Sequence, residues 1–185
     1  MLLSKLETIR DQLSRREMKL SDALLLILRF LRGNVAEEKL VWLNRELLGY
    51  RPDDLESAGA ESYSNILNFF RPRHFEPFRQ TLEIPRYRFM SGVWGHIDRM
   101  GKLVAVMAPE LAQRQIFCNI GIQQIEIQLE ETENANNALF SLSFDEHTGA
   151  EFFCESSELF RVYDHVRFKL IEFIDRSIEE LQLNY

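Results

Sequence analysis

The stretch from Leu20 to Tyr50 constrains the fold of this chain more than any other part of the sequence. Residues 20–31 are apolar almost all round, so we predict a helix that lies in the centre of the core. Gly33 then interrupts the pattern, because glycine readily adopts the left-handed conformation that ends many helices. A second helix follows and ends at Gly49. Two helices joined by so short a break predict an antiparallel helical hairpin.

Polar side chains at the start of each of these two helices are candidates for its N-terminal cap. We expect Ser21 or Asp22 to cap the first helix, and Asn34 with Glu37 to form a capping box for the second. The second helix has a predicted buried stripe made of Ala36, Leu40, Leu43 and Leu47. Its carboxylates are expected to lie on a solvated face, and these are Glu37, Glu38 and Glu46.

Two further amphipathic helices are predicted at the ends of the chain. Residues 2–18 and 156–183 carry apolar side chains at spacings of three and four. Partial alternation predicts a small β element in residues 84–107 and 139–153. The predicted class is therefore mainly α (α+β), with the N-terminal hairpin and the long C-terminal helix forming a bundle. Residues 118–131 fit either a strand or a helix.

Length, composition and net charge limit the classes of protein to which this chain can belong. The 185 residues predict a single domain over 1–185. The net charge of −7 argues against a general nucleic-acid or membrane-surface partner. No apolar run approaches the roughly 20 residues of a membrane helix. Cys118 and Cys154 have neither a metal-site spacing nor a disulfide framework, so we expect buried, reduced thiols in a cytoplasmic protein.

The sequence contains none of the common catalytic or phosphate-binding motifs. A metal site drawn from His96, Asp98, Asp145 and His147 depends on the fold bringing four scattered residues together, and solvated surface positions are the simpler interpretation. We therefore predict no catalytic residues, no metal and no cofactor.

One segment favours a different function. Residues 69–79 interleave aromatic rings with cations, and the relevant side chains are Arg71, Arg73, His74, Phe75, Phe78 and Arg79. Aromatic faces stack on bases and guanidinium groups bind phosphates, so the segment is an alternative nucleic-acid site, of a binder or of a toxin. A local apolar plug with a solvated rim is the competing interpretation.

The first helix of the hairpin contains Ser21-Asp22-Ala23-Leu24, and the second contains Trp42 and then Glu46-Leu47-Leu48-Gly49-Tyr50. With these residues, the stretch from Leu20 to Tyr50 resembles the AbiTii domain of abortive-infection proteins. Further segments are similar to that family, and they are residues 84–88 with Gly92, residues 121–126, and Asp164 to Arg167 with Leu170. Residues 53–83 look like an insertion relative to the family. The resemblance implies a prokaryotic protein that works in anti-phage defence, without enzymatic activity of its own.

The resemblance also implies partners and candidate site residues. The expected partner is a second copy of the chain or a neighbouring defence effector. Trp42, Arg45, Glu46 and Tyr50 are the candidate interaction residues, since tryptophan, tyrosine and arginine dominate many interfaces. The alternative is structural: Trp42 packs on the C-terminal helix, Glu46 pairs with Arg167, and Tyr50 secures the helix end.

Overall fold

The computed structural model describes residues 2–51, 85–107, 111, 114–135 and 139–183. Within these residues there are five α-helices and five β-strands. The helices are α1 (Leu2–Ser14), α2 (Leu20–Leu31), α3 (Glu37–Leu48), α4 (Ile122–Ala135) and α5 (Ser156–Leu183). The strands are β1 (Phe89–Ile97), β2 (Leu103–Ala105), β3 (Gln115–Phe117), β4 (Leu139–Asp145) and β5 (Ala150–Glu155), and a short 3-10 turn at Arg86–Arg88 precedes β1.

The five strands form one antiparallel sheet. Its order is β2-β1-β5-β4, and β3 pairs with the first residues of β1. Strand β1 is central because it pairs with β3 through Phe89 to Ser91, with β5 through Gly92 to Gly95, and with β2 through Gly95 to Ile97. A β-bulge lies between Ser141 and Ser143 of β4, where the register to β5 shifts.

The sheet corrects the predicted fold class. The molecule is α+β with a substantial five-stranded sheet, and it is not a helical bundle with a small β element. The predicted segments 84–107 and 139–153 are parts of the same sheet, joined by the pairing of β1 with β5. Residues 115–117 add a strand that the sequence pattern did not predict, because three residues are too few to show a period of two.

Helices cover one face of this sheet and enclose the main core. The hairpin of α2 and α3 is present as predicted, with Gly33 in a left-handed conformation at the break. Helix α1 packs against α5, so the first and the last helix of the described chain lie side by side. The core is drawn from all five helices and from the sheet, for example Leu24, Leu43, Ile125, Phe152 and Val166.

The ambiguous stretch resolves largely to a helix. Helix α4 begins at Ile122 and buries Ile122, Ile125 and Leu129, which is the period of a helix. The residues just before it are extended: Cys118 follows β3, and Ile120 forms an isolated bridge to Gly49. Both cysteines are free and buried, which confirms the prediction of buried thiols.

The predicted capping residues are wrong. Helix α2 begins at Leu20, and its N-cap residue Lys19 makes no side-chain cap. Helix α3 begins at Glu37 after Ala36, while the Asn34 amide donates back to the Phe30 carbonyl. Ala36 is exposed and does not belong to the buried stripe, although Leu40, Leu43 and Leu47 do.

Candidate interaction site

The buried carboxylate of Glu46 organises the end of α3. It is fully buried, and one of its oxygens, Oε1, accepts hydrogen bonds from the hydroxyls of Tyr50 at 2.5 Å and Tyr87 at 2.7 Å. Its other oxygen, Oε2, forms an ion pair with the guanidinium of Arg88. A carboxylate at this depth is stable only with such partners, since an unpaired buried charge is very costly.

Arg88 connects this cluster to the segment before α4. Its side chain is also fully buried, and Nη1 donates to the carbonyls of Cys118 at 3.1 Å and Ile120 at 2.6 Å. The guanidinium lies over the Tyr50 ring, 5.1 Å from its centroid. Burial by itself lowers the pKa of Arg88, but the attraction of Glu46 outweighs it and the pKa is raised. Arg88 therefore stays charged and holds α3 against the segment that enters α4.

The tyrosines of the cluster are held in their neutral form. Burial, followed by the neighbouring Glu46 carboxylate, raises the pKa of both Tyr50 and Tyr87 well above the ordinary value of 10. Tyr87 also accepts a hydrogen bond of 3.1 Å from the Trp42 indole N–H. A continuous chain of hydrogen bonds thus runs from half-buried Trp42 to buried Arg88, and we refer to Trp42, Glu46, Tyr50, Tyr87 and Arg88 as the Glu46 cluster.

Helix α5 fixes the other side of this cluster. Arg161 donates to the backbone carbonyls of Tyr87 and Phe89, and it pairs with Glu158 at 2.9 Å. The His165 ring stacks on Tyr87 with centroids 6.0 Å apart. Trp42 contacts Phe173 at a centroid distance of 6.0 Å. The short segment that carries Tyr87 and Arg88 is therefore clamped between α3 and α5.

Two glycines allow the backbones of α3 and α4 to meet at this place. Gly49 has a φ of +96°, and a Cβ on it would lie 2.5 Å from the Asn119 carbonyl oxygen. A Cβ on Gly121 would collide with the Leu47 carbonyl oxygen. Only glycine fits such an approach, so the helix end at Gly49 is part of a tertiary joint as well as a C-terminal cap.

The structural interpretation of Trp42, Glu46 and Tyr50 is correct in part. Trp42 packs on α5, and Tyr50 lies against the helix end through its bond to Glu46. Two expectations for Glu46 are wrong: it is buried, not solvated, and it pairs with Arg88 instead of Arg167, which forms an ion pair with Asp164. Periodicity along α3 could not reveal this, because the partner lies 42 residues further on.

Sequence reasoning left Tyr87 and Arg88 out of the candidate site. A signal was present, since both belong to one of the segments quoted for the family resemblance. Glu46 and Tyr50 are buried, while Trp42 and Arg45 are half-buried. The prediction that these four residues form an interface stays a prediction, and the contacts seen for Glu46 and Tyr50 are internal.

A second feature is the sheet face that points away from the core. Side chains alternate along strands, and Phe152 and Cys154 of β5 face the core, so Glu151, Phe153 and Glu155 face the opposite way. Pairing places Val93 beside Phe153 and Phe144 beside Glu151. We call this surface the outer sheet face and define it by Val93, Ile97, Phe144, Glu151, Phe153 and Glu155.

The outer sheet face exposes several large apolar side chains. Val93 is 45% exposed, Ile97 47% and Phe144 54%, whereas Phe153 between them is only 8% exposed. Val93 is directly opposite Phe153, and Phe144 is diagonal to it, so the apolar side chains are contiguous. An exposed apolar group of this kind is typical of an interaction surface.

Other predicted residues take no part in either feature. The alternative nucleic-acid residues, Arg71, Arg73, His74, Phe75, Phe78 and Arg79, lie outside the described residues. Asp98 accepts from the backbone amides of Met100 and Lys102, and Asp145 accepts from Thr148. Among the residues that the structure describes, no cluster of three or more histidines, cysteines or carboxylates could bind a metal, and no helix is long and apolar enough to cross a membrane.

The sequence matches no family model, and no curated protein or solved structure is significantly similar to it.

Proposed function

We propose that this chain is a non-enzymatic protein-interaction module that works beside an effector in prokaryotic anti-phage defence. The observation that carries the interaction role is the outer sheet face, where Val93, Ile97 and Phe144 are exposed around the nearly buried Phe153. The defence setting is supported by the resemblance of residues 20–50, 84–92, 121–126 and 164–170 to the AbiTii domain.

The Glu46 cluster supports this proposal indirectly. It joins α3 to the 3-10 turn before β1 and to the segment before α4 through buried hydrogen bonds and an ion pair, which is the chemistry of a rigid scaffold. A rigid scaffold loses little conformational entropy when its surface binds a partner. We therefore assign the cluster to the support of the fold and the outer sheet face to partner binding.

Co-purification tests the interaction role. The full chain is co-expressed with the product of the adjacent gene, and the mass of the complex is measured by size-exclusion chromatography with light scattering. We expect a complex that Phe144→Ser weakens at least ten-fold and that Phe168→Ser leaves intact, because Phe168 is 66% exposed on α5 and does not belong to the outer sheet face. A chain that remains monomeric and captures neither its neighbour nor a second copy contradicts the proposal.

Phage plating tests the defence setting separately. Cells that carry the chain with its neighbouring gene should plate phage less efficiently than cells that carry the neighbour alone, and Phe144→Ser should abolish the difference. Equal plating by all three strains, with the complex intact in vitro, would retain the interaction role and reject anti-phage defence.

A further inference from the structure

The charge of the outer sheet face differs from that of the rest of the molecule. The sequence between Gln115 and Phe160 contains no lysine or arginine, and it carries nine acidic residues. Two of these, Glu151 and Glu155, lie on β5 on either side of Phe153. Among the residues of the five described strands that share this face, only these two are charged.

The two carboxylates are not neutralised by the described part of the chain. Neither Glu151 nor Glu155 forms an ion pair there, whereas Glu130 pairs with Lys19 and Glu158 pairs with Arg161. Glu155 accepts only a hydrogen bond from Ser157, at 3.3 Å. The outer sheet face therefore combines exposed apolar side chains with two carboxylates, one on each side of Phe153 along β5.

We infer that the outer sheet face binds an amphipathic helix of a partner protein, with an apolar stripe flanked by lysine or arginine. This inference rests on the proposed function and specifies the partner's chemistry. Leucine-like side chains of such a helix pack on Val93, Phe144 and Phe153, while its cations pair with Glu151 and Glu155. An apolar sheet face is stabilised when it packs against another layer of secondary structure, and an amphipathic helix supplies such a layer.

Two observations argue against other modes of binding. Among the described strands, β4 and β2 are the two edges of the sheet. The bulge at Ser141 to Ser143 breaks the regular register of β4, and β2 has only three residues, so neither edge favours the addition of a partner strand. A symmetric contact between two copies of this face would bring four carboxylates into one interface, Glu151 and Glu155 from each copy. Repulsion between like charges makes that contact unfavourable.

A labelled peptide tests the inference with the full-length protein. The probe is an 18-residue fluorescent peptide with leucines along one helical face and lysines elsewhere, and its counterpart has glutamate in place of every lysine. Fluorescence anisotropy should show binding of the lysine peptide alone, with an affinity that falls as salt is raised, because the flanking contacts are electrostatic.

Matched variants locate the site. Glu151→Lys with Glu155→Lys should weaken the lysine peptide at least ten-fold and allow the glutamate peptide to bind. The same charge change at Glu133 and Glu179, which are exposed on α4 and α5, should leave both affinities unchanged. Phe144→Ser should weaken binding, and Phe168→Ser should not. Circular dichroism and thermal unfolding of each variant establish that the fold is retained.

Several outcomes would overturn the inference. Equal binding of both peptides, or an equal loss in the control variants, would show non-specific attraction. Self-association that Glu151→Lys with Glu155→Lys abolishes would identify a second copy as the occupant. Loss of stability in Phe144→Ser, without a change in peptide binding, would show that the face is covered within the chain. If the neighbour-encoded protein still binds through Phe144 while the lysine peptide does not, only this inference fails and the proposed function stands.

Discussion

Glu46 and Glu126 are both buried, but their carboxylates have different hydrogen-bond partners. Glu46 on α3 faces a fully buried arginine and two tyrosine hydroxyls. Glu126 on α4 faces the beginning of α2, where its Oε1 accepts from the amides of Leu20 at 2.9 Å and Ser21 at 3.2 Å. The first carboxylate is balanced by a full positive charge, and the second by the partial positive charge of a helix N-terminus.

The Glu126 site replaces a cap that the local sequence does not provide. Helix α2 has no side-chain cap of its own, and Glu126 binds its first amides from a position 106 residues away. The Ser21 hydroxyl donates to Oε2 at 2.5 Å and the Tyr163 hydroxyl donates to Oε1 at 2.9 Å. A buried carboxylate can therefore be satisfied by backbone amides and hydroxyls as well as by an arginine. Substitutions at the Glu46 site and at the Glu126 site should therefore lower the free energy of unfolding by different amounts.

The largest expected effect comes from breaking the ion pair. Arg88→Met leaves Glu46 buried without a counter-charge and should lower the free energy of unfolding by about 3–5 kcal/mol. Urea denaturation followed by circular dichroism measures the change. The double variant Arg88→Met with Glu46→Leu should recover part of the loss, because no buried charge remains. As a surface control, Glu130→Gln breaks the exposed pair with Lys19 and should cost less than about 1 kcal/mol.

The next largest effect is expected at the helix cap. Glu126→Ala leaves the first amides of α2 without an acceptor, and it should cost about 2 kcal/mol in the same denaturation experiment. Glu126→Gln should cost less, because a side-chain carbonyl still accepts from the amides. If Glu126→Ala lowered the free energy of unfolding as much as Arg88→Met does, the expected difference between the two sites would be wrong.

Removing one hydroxyl from each site should have a smaller effect. Tyr50→Phe and Tyr163→Phe each delete one hydrogen bond to a buried carboxylate, and each should cost about 1–2 kcal/mol near neutral pH. Glu46 keeps Tyr87 and Arg88 as donors, and Glu126 keeps Ser21 and the amides. Global unfolding by either substitution would mean that one tyrosine hydroxyl supports far more than its own bond.

The smallest expected effect is a difference in stability at alkaline pH between the wild type and Tyr163→Phe. Burial is the main cause that raises the pKa of Tyr163, to about 12. A raised pKa means that its contribution to stability is complete below pH 10, the value for an unfolded tyrosine, and is lost as pH rises from 10 to about 12. Tyr163→Phe should therefore lose less stability than the wild type over this window. Absorbance of tyrosinate against pH checks the titration, and an identical decline in both proteins would contradict the assignment.

The helices of this fold follow largely from local sequence. Gly33 and Gly49 end α2 and α3 because glycine tolerates positive φ, and the spacing of leucines predicts which face of each helix is buried. The long amphipathic helix at the end of the chain was predictable for the same reason. The size of the sheet was not, because β2 and β3 have three residues each and gain their stability from pairing with β1.

The candidate site was predictable in its residues and not in its contacts. Trp42, Glu46 and Tyr50 lie within eight residues of one another, so local pattern could group them, and the resemblance placed Tyr87 and Arg88 in a separate segment. Only the fold decides that Arg88 reaches Glu46, and that Phe153 lies on the outer face between two carboxylates without an ion pair among the described residues.

The hairpin, the long C-terminal helix and the buried thiols were thus determined by the sequence alone, since they depend on spacing, glycine conformation and hydrophobicity within a few residues. The sheet, the satisfied burial of Glu46 and Glu126, and the outer sheet face were decided only by the tertiary structure. Their partners come from distant parts of the chain, and no local pattern encodes which donor a buried carboxylate will meet.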